Sequence, residues 1–159
     1  MTICLLMLIL QPTAANASPS TRPTMREWYA HVKVVAEKYG MDPYLCLALA
    51  AGESGKGKEE VRFCWVGGGR FHGPYNIHRG ALNRWDITNW RVNTEVGIMS
   101  LANHLREQGS LRGALRKYNT GDSPSQFDRF YRNILRLKRL YENRMVFFEP
   151  TNLALKMTK

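Results

Sequence analysis

Glu53 is the side chain in this sequence whose surroundings most plainly favour proton transfer. It ends an almost unbroken apolar run, Tyr44 to Ala51, in the phrase Ala51-Gly52-Glu53-Ser54-Gly55. A carboxylate is rarely left against such a surface unless it is paired or used. The run reads as a buried helix with Glu53 in its last turn, where the negative end of the helix dipole disfavours the ionised form. Burial and dipole both raise the pKa, as a general acid working near neutral pH requires. The competing reading is a helix-end carboxylate neutralised by Lys56 or Lys58 a turn later.

The other groups capable of chemistry narrow the choice. Ser54 has no base visible in the sequence, so acyl transfer is not expected. Cys64, His72 and His78 match no common zinc spacing, and neither a metal nor a cofactor is expected. Glu59, Glu60 and Asp86 could supply a second acid, against the plainer roles of surface charge or helix cap. Trp65, Phe71, Tyr75, Trp85 and Trp90 could stack on sugar rings, or simply pack the domain closed. Cys46 precedes Glu53 by two helical turns on the same face. A Cys46–Cys64 disulfide would fold the intervening segment back over that face and contribute about 3 kcal/mol. Two buried thiols are the alternative.

These residues must be positioned by a mainly helical chain. Thr24 and Glu27 form a capping box that opens a helix to Tyr39, stopped by Gly40. Asp42-Pro43 supplies the N-cap and first-turn proline of the helix that carries Glu53. From Gly55 to Trp90 the periodicity collapses into glycine- and aromatic-rich sequence, with Phe63, Trp65 and Val66 as a weak strand. Asn93 is expected to cap a helix through Gln108, and Ser110 to start a short one ending at Tyr118. Ser123-Pro124-Ser125-Gln126 is a second capping box. It opens a helix with a stripe of Phe127, Phe130, Ile134, Leu137 and Tyr141, and with Arg129, Arg132, Arg136 and Arg139 elsewhere around it.

The chain starts with an apolar core, Ile3 to Leu10, then Pro12 and the small-x-small pattern Ala15-Asn16-Ala17. This predicts a secretory signal over 1–17, a domain over 18–145 and a tail over 146–159. The apolar stretch is too short for a stable membrane span. Cys4 lies inside it, away from the cleavage point. Export leaves Cys46 and Cys64 as an even pair in an oxidising compartment. The net charge of +10 over 159 residues suits an anionic polymer or envelope surface. A nucleic-acid partner is the competing reading of that charge, and no nucleic-acid motif supports it.

The segment from Tyr39-Gly40-Met41-Asp42-Pro43 through Glu53-Ser54-Gly55 resembles the first motif of lytic transglycosylase domains of the soluble-transglycosylase type. Gly73-Pro74-Tyr75-Asn76-Ile77 is similar to that family's Gly-Leu-Met-Gln-Ile motif. Asn93-Thr94-Glu95-Val96-Gly97 resembles its Asn-x-x-x-Gly helix start, and Lys117-Tyr118-Asn119-Thr120-Gly121 its Ala-Tyr-Asn-x-Gly. Tyr131 with Ile134 resembles its tyrosine motif on the following helix. The resemblance covers Tyr39 to Leu135, with Asn76, Pro74-Tyr75 and Lys117 as departures that fall on the cleft.

The resemblance implies a lysozyme-like α+β fold, mainly α, with an irregular or β-containing region between the Glu53 helix and the C-terminal helices. It implies cleavage of the bond between N-acetylmuramic acid and N-acetylglucosamine in peptidoglycan, with a 1,6-anhydro product. Glu53 would act first as acid and then as base, with Tyr118 beside it. Ser54, Tyr75, Asn76, Asn119 and Tyr131 would bind substrate. Ordinary glycosidases need a second carboxylate, whereas here the sugar's own 6-hydroxyl attacks. The implied protein is a periplasmic or envelope monomer serving a secretion, pilus, conjugation or phage assembly. A hydrolytic lysozyme and a non-catalytic peptidoglycan-binding module are the alternatives.

Overall fold

A computed structural model describes residues 22–54, 71–78, 86–120 and 122–145. Five helices carry most of this chain: α1 (Met25–Lys38), α2 (Pro43–Ser54), α3 (Trp90–Gln108), α4 (Leu111–Tyr118) and α5 (Pro124–Met145). Between α2 and α3 lies a minimal antiparallel hairpin, β1 (Phe71–His72) and β2 (Ile77–His78), with Phe71 opposite His78 and His72 opposite Ile77. The mainly helical expectation holds, and a small β element falls where the periodicity collapses. The expected signal over 1–17 with Cys4, the weak strand at Phe63, Trp65 and Val66, and the tail over 146–159 lie outside the described residues. Among the described residues no helix is long and apolar enough to cross a membrane.

Local chemistry sets most helix ends. The Thr24 hydroxyl accepts the Glu27 N–H at 3.2 Å, and the Glu27 carboxylate accepts the Thr24 N–H at 2.8 Å. The α1 carbonyls at the other end are closed by Gly40 N–H to Glu37 and Met41 N–H to Ala36, the paired bonds of a Schellman motif. That turn delivers Asp42, whose Oδ1 accepts the Tyr44 N–H at 2.8 Å and starts α2. Ser110 caps α4, and Ser123 with Gln126 caps α5 as expected.

One boundary differs. The α3 helix begins at Trp90, capped by Asn89, whose Oδ1 accepts the Arg91 N–H at 2.9 Å. Asn93 is therefore not the cap. It lies inside the helix and is fully buried, its side chain drawn away by distant backbone.

α2 is the centre of the core. Its residues Leu45 to Ala51 are all buried, so it packs on every side. It packs chiefly against α5, with Ile134 and Phe130 set against Gly52, and also against α1. Asp42 pairs with Lys138 of α5 at 2.8 Å, fastening the start of α2. α3 packs on α1 and α4, with the Trp28 indole N–H donating to Thr94 at 3.1 Å and Lys38 paired with Glu95 at 2.6 Å. The arginines Arg129, Arg132, Arg136 and Arg139 lie exposed on α5, away from its buried stripe.

Candidate active site around Glu53

Glu53 is the penultimate residue of α2, half-buried where that helix leaves the core. Its carboxyl is pushed up to about 7. The chief cause is desolvation; a hydrogen bond from Asn76 opposes it, and the negative charge of Asp122 reinforces it. Asn76 Nδ2 donates to Glu53 Oε2 at a long 3.4 Å. A carboxyl half protonated near neutral pH can give up a proton and take one back, which is the chemistry expected of it. Lys56 and Lys58, its possible neutralising partners, lie outside the described residues.

The tight turn between the two β strands delivers Asn76. Asn76 N–H donates to the Gly73 carbonyl at 3.1 Å, and Asn76 itself takes a left-handed φ of 52°. Asparagine tolerates that region better than most residues. The amide therefore reaches Glu53 from a backbone geometry that few side chains would accept.

Tyr118, at the end of α4, borders the same space. Its hydroxyl donates to the Tyr75 carbonyl at 3.0 Å, tying α4 to the turn. Burial, with the nearby Glu53 charge and Cys46 adding to it, holds its pKa well above the ordinary tyrosine value. Tyr118 is thus a neutral donor, not a base. The His104 ring meets it edge-on, with centroids 6.3 Å apart.

Tyr75 corrects an expectation. As a substrate-binding aromatic its ring would need to face the cleft, yet it is wholly buried (0%) and its hydroxyl donates to the Cys46 carbonyl at 3.0 Å. Its side chain is a core anchor, and only its backbone contributes to the site. Trp90 is likewise core. Trp65 and Trp85 lie outside the described residues, as does the side chain of Phe71.

The remaining expected residues divide. Asn119 caps the end of α4 and donates through Nδ2 to Asp122 Oδ2 at 3.0 Å, so it reaches the site by way of Asp122. The Ser54 hydroxyl donates back to the Ala50 carbonyl at 2.8 Å, an interaction of the α2 terminus itself. Tyr131 sits elsewhere on α5, its ring 6.2 Å from that of Phe127 and under the Arg112 guanidinium at 5.1 Å. Asp86 accepts from the Thr88 N–H at 3.1 Å in an exposed turn before α3, the structural role weighed against catalysis. Glu59 and Glu60 lie outside the described residues.

Asp122 is the carboxylate that sequence reasoning missed. Besides the Asn119 bond, its backbone carbonyl accepts from Arg116 at 2.8 Å. The available signal was its spacing from Asn119, three residues on, across a turn that joins α4 to α5.

Cys46 is a free, buried thiol among the described residues, raised to about 12 by burial and by the Asp42 charge. Such a thiol is a packing group of α2 and a poor nucleophile. Cys64, its expected disulfide partner, lies outside the described residues, as does the His72 side chain. No three His, Cys, Asp or Glu side chains converge as a metal-binding group among the described residues.

The described site is therefore one acid of raised pKa, flanked by an amide donor, a neutral hydroxyl and a second carboxylate. Compared with protein-family models, with curated proteins and with solved structures, the chain matches none of them.

Proposed function

We propose that this chain is an exported peptidoglycan lytic transglycosylase on a lysozyme-like fold, with Glu53 as its acid and base. The observation that carries the reading is the Glu53 carboxyl, pushed to about 7 at the partly exposed end of a buried helix. Protonated, it gives its proton to the glycosidic oxygen as the bond to N-acetylmuramic acid breaks. Ionised, it takes the proton of the sugar's 6-hydroxyl as that oxygen closes on the anomeric carbon. Asn76 serves as a donor to the carboxylate, and the Tyr118 hydroxyl ties down the turn that carries Asn76. The basic surface, with its exposed α5 arginines, suits the anionic envelope. Periplasmic work beside a secretion, pilus, conjugation or phage assembly belongs to the same proposal.

Asp122 favours a second reading. A carboxylate whose charge acts on Glu53 is the group that a hydrolytic lysozyme would need to activate water. Digestion of purified peptidoglycan by the wild type and by Glu53→Gln, with products identified by mass, separates the readings. Anhydro-muropeptides from the wild type alone are expected. Reducing ends would transfer the reaction to water and to Asp122. Binding to peptidoglycan with no cleavage by either protein would overturn both and leave a glycan-binding module.

A further inference from the structure

α3 offers the Gly73–Asn76 turn two residues that take no direct part in proton transfer. Asn93 is wholly buried (0%), and each end of its amide holds backbone: Oδ1 accepts the Tyr75 N–H at 3.1 Å, and Nδ2 donates to the Ile87 carbonyl at 3.3 Å. It fastens the turn to the segment entering α3. Four residues later, on the same helix face, stands Gly97. A Cβ there would lie 2.3 Å from Tyr75 Cγ, so the tyrosine ring occupies the room that a side chain would take. From the turn's own side, Gly73 has a φ of +71° and a Cβ on it would lie 2.4 Å from Asn93 Cγ.

Tyr75 is thereby held at its N–H by Asn93, at its ring by the space over Gly97 and at its hydroxyl by Cys46. The next residue is Asn76, whose amide touches Glu53. A small displacement of Tyr75 would carry Asn76 off a contact that is already 3.4 Å long.

We propose that Asn93 and Gly97 are positioning residues for Glu53, a lock on α3 that acts through the Tyr75-Asn76 backbone to hold the Asn76 amide on the carboxylate. The inference rests on Glu53 as the working acid. The lock itself operates whether or not the chain cleaves glycan, so its test needs no substrate.

The test is the titration of the Glu53 carboxyl, read by NMR on full-length protein labelled with carbon-13 glutamate. Asn76→Ala, Asn93→Leu and Gly97→Ala are compared with the wild type. The Asn76 hydrogen bond favours the ionised carboxylate, so its loss moves the midpoint upward, by about 0.5–1 unit for Asn76→Ala. Asn93→Leu and Gly97→Ala should produce a similar rise, and the Asn76→Ala/Asn93→Leu pair should rise no further than Asn76→Ala alone. Gly97→Ala keeps every polar group and carries the test if Asn93→Leu does not fold. A folded Asn93→Leu or Gly97→Ala with an unmoved midpoint, beside a shifted Asn76→Ala, would overturn the lock. Matching shifts together with a wild type inert on peptidoglycan would uphold the lock and remove the glycan-cleavage reading.

Discussion

Two regions of the molecule act on Glu53 in opposite directions. The turn between β1 and β2 brings the Asn76 amide, a donor that favours the ionised carboxylate. The corner between α4 and α5 carries Asp122, whose negative charge disfavours it. Desolvation at the end of α2 is larger than either and sets the baseline, and the flanks adjust it. The flanks also differ in construction. The Asn76 side is braced from the core, through Tyr75, Asn93 and the Tyr118 hydroxyl. Asp122 is held by partners within its own corner, Asn119 and Arg116. Such opposed controls suit a carboxyl that, in the proposed mechanism, both gives and receives a proton.

Removing the group on which both flanks act has the largest effect. Glu53→Gln should lower peptidoglycan turnover by about 10²–10⁴-fold, the ordinary worth of a positioned general acid, measured by release of soluble fragments. Activity near the wild-type level in that variant would dissolve the comparison.

The same substitution should alter stability in a pH-dependent way. The folded carboxyl, at about 7, lies above its ordinary 4.5, so the native state holds a proton that the unfolded chain has released between those values. Wild-type stability should therefore fall relative to Glu53→Gln as pH rises from about 4.5 to about 7. With allowance for partial exposure, the difference above that window should approach about 2 kcal/mol in denaturant titrations. A constant offset across pH would mean that burial does not perturb Glu53.

The flanks themselves should part in sign. The proposed cleavage needs protonated Glu53, so the alkaline limb of the pH–rate profile should follow its pKa. Asp122→Asn removes a negative charge and should move that limb down, whereas Asn76→Ala removes a donor and should move it up, each by about 0.5–1 unit. Shifts in the same direction would refute the opposition of the two sides.

The smallest effect is expected at the link between them. Tyr118→Phe deletes one hydrogen bond, to the Tyr75 carbonyl, and should cost about 1 kcal/mol in thermal unfolding. A loss of activity rivalling that of Glu53→Gln would instead make the hydroxyl a direct participant in the chemistry.

What was legible in the sequence followed from how local the cause was. The capping boxes at Thr24 and Ser123, and the Asp42-Pro43 start, are satisfied within three residues and read directly. Glu53 was legible because an apolar run ending in a carboxylate fixes both burial and helix end. Asn93 was misread as a cap because its partner, the Tyr75 N–H, lies 18 residues away, and Asn89 fills the capping role nearby. Tyr75 looked like a cleft aromatic because it lies in the segment that resembles a cleft motif. Its ring instead turns inward over Gly97, a packing relation that only the assembled helix reveals. Asp122 went unnoticed for a similar reason. Its influence on Glu53 depends on how the α4–α5 corner meets α2, and spacing along the chain does not encode that distance.

The central claim is that Glu53 is held as a weak acid near neutrality. Its carboxyl titration in the wild-type protein, followed by carbon-13 NMR and assigned through Glu53→Gln, tests this most directly. A midpoint near 7 is predicted. A midpoint at the ordinary 4.5 would contradict it, leaving Glu53 an ionised helix-end carboxylate with no proton to give at neutral pH.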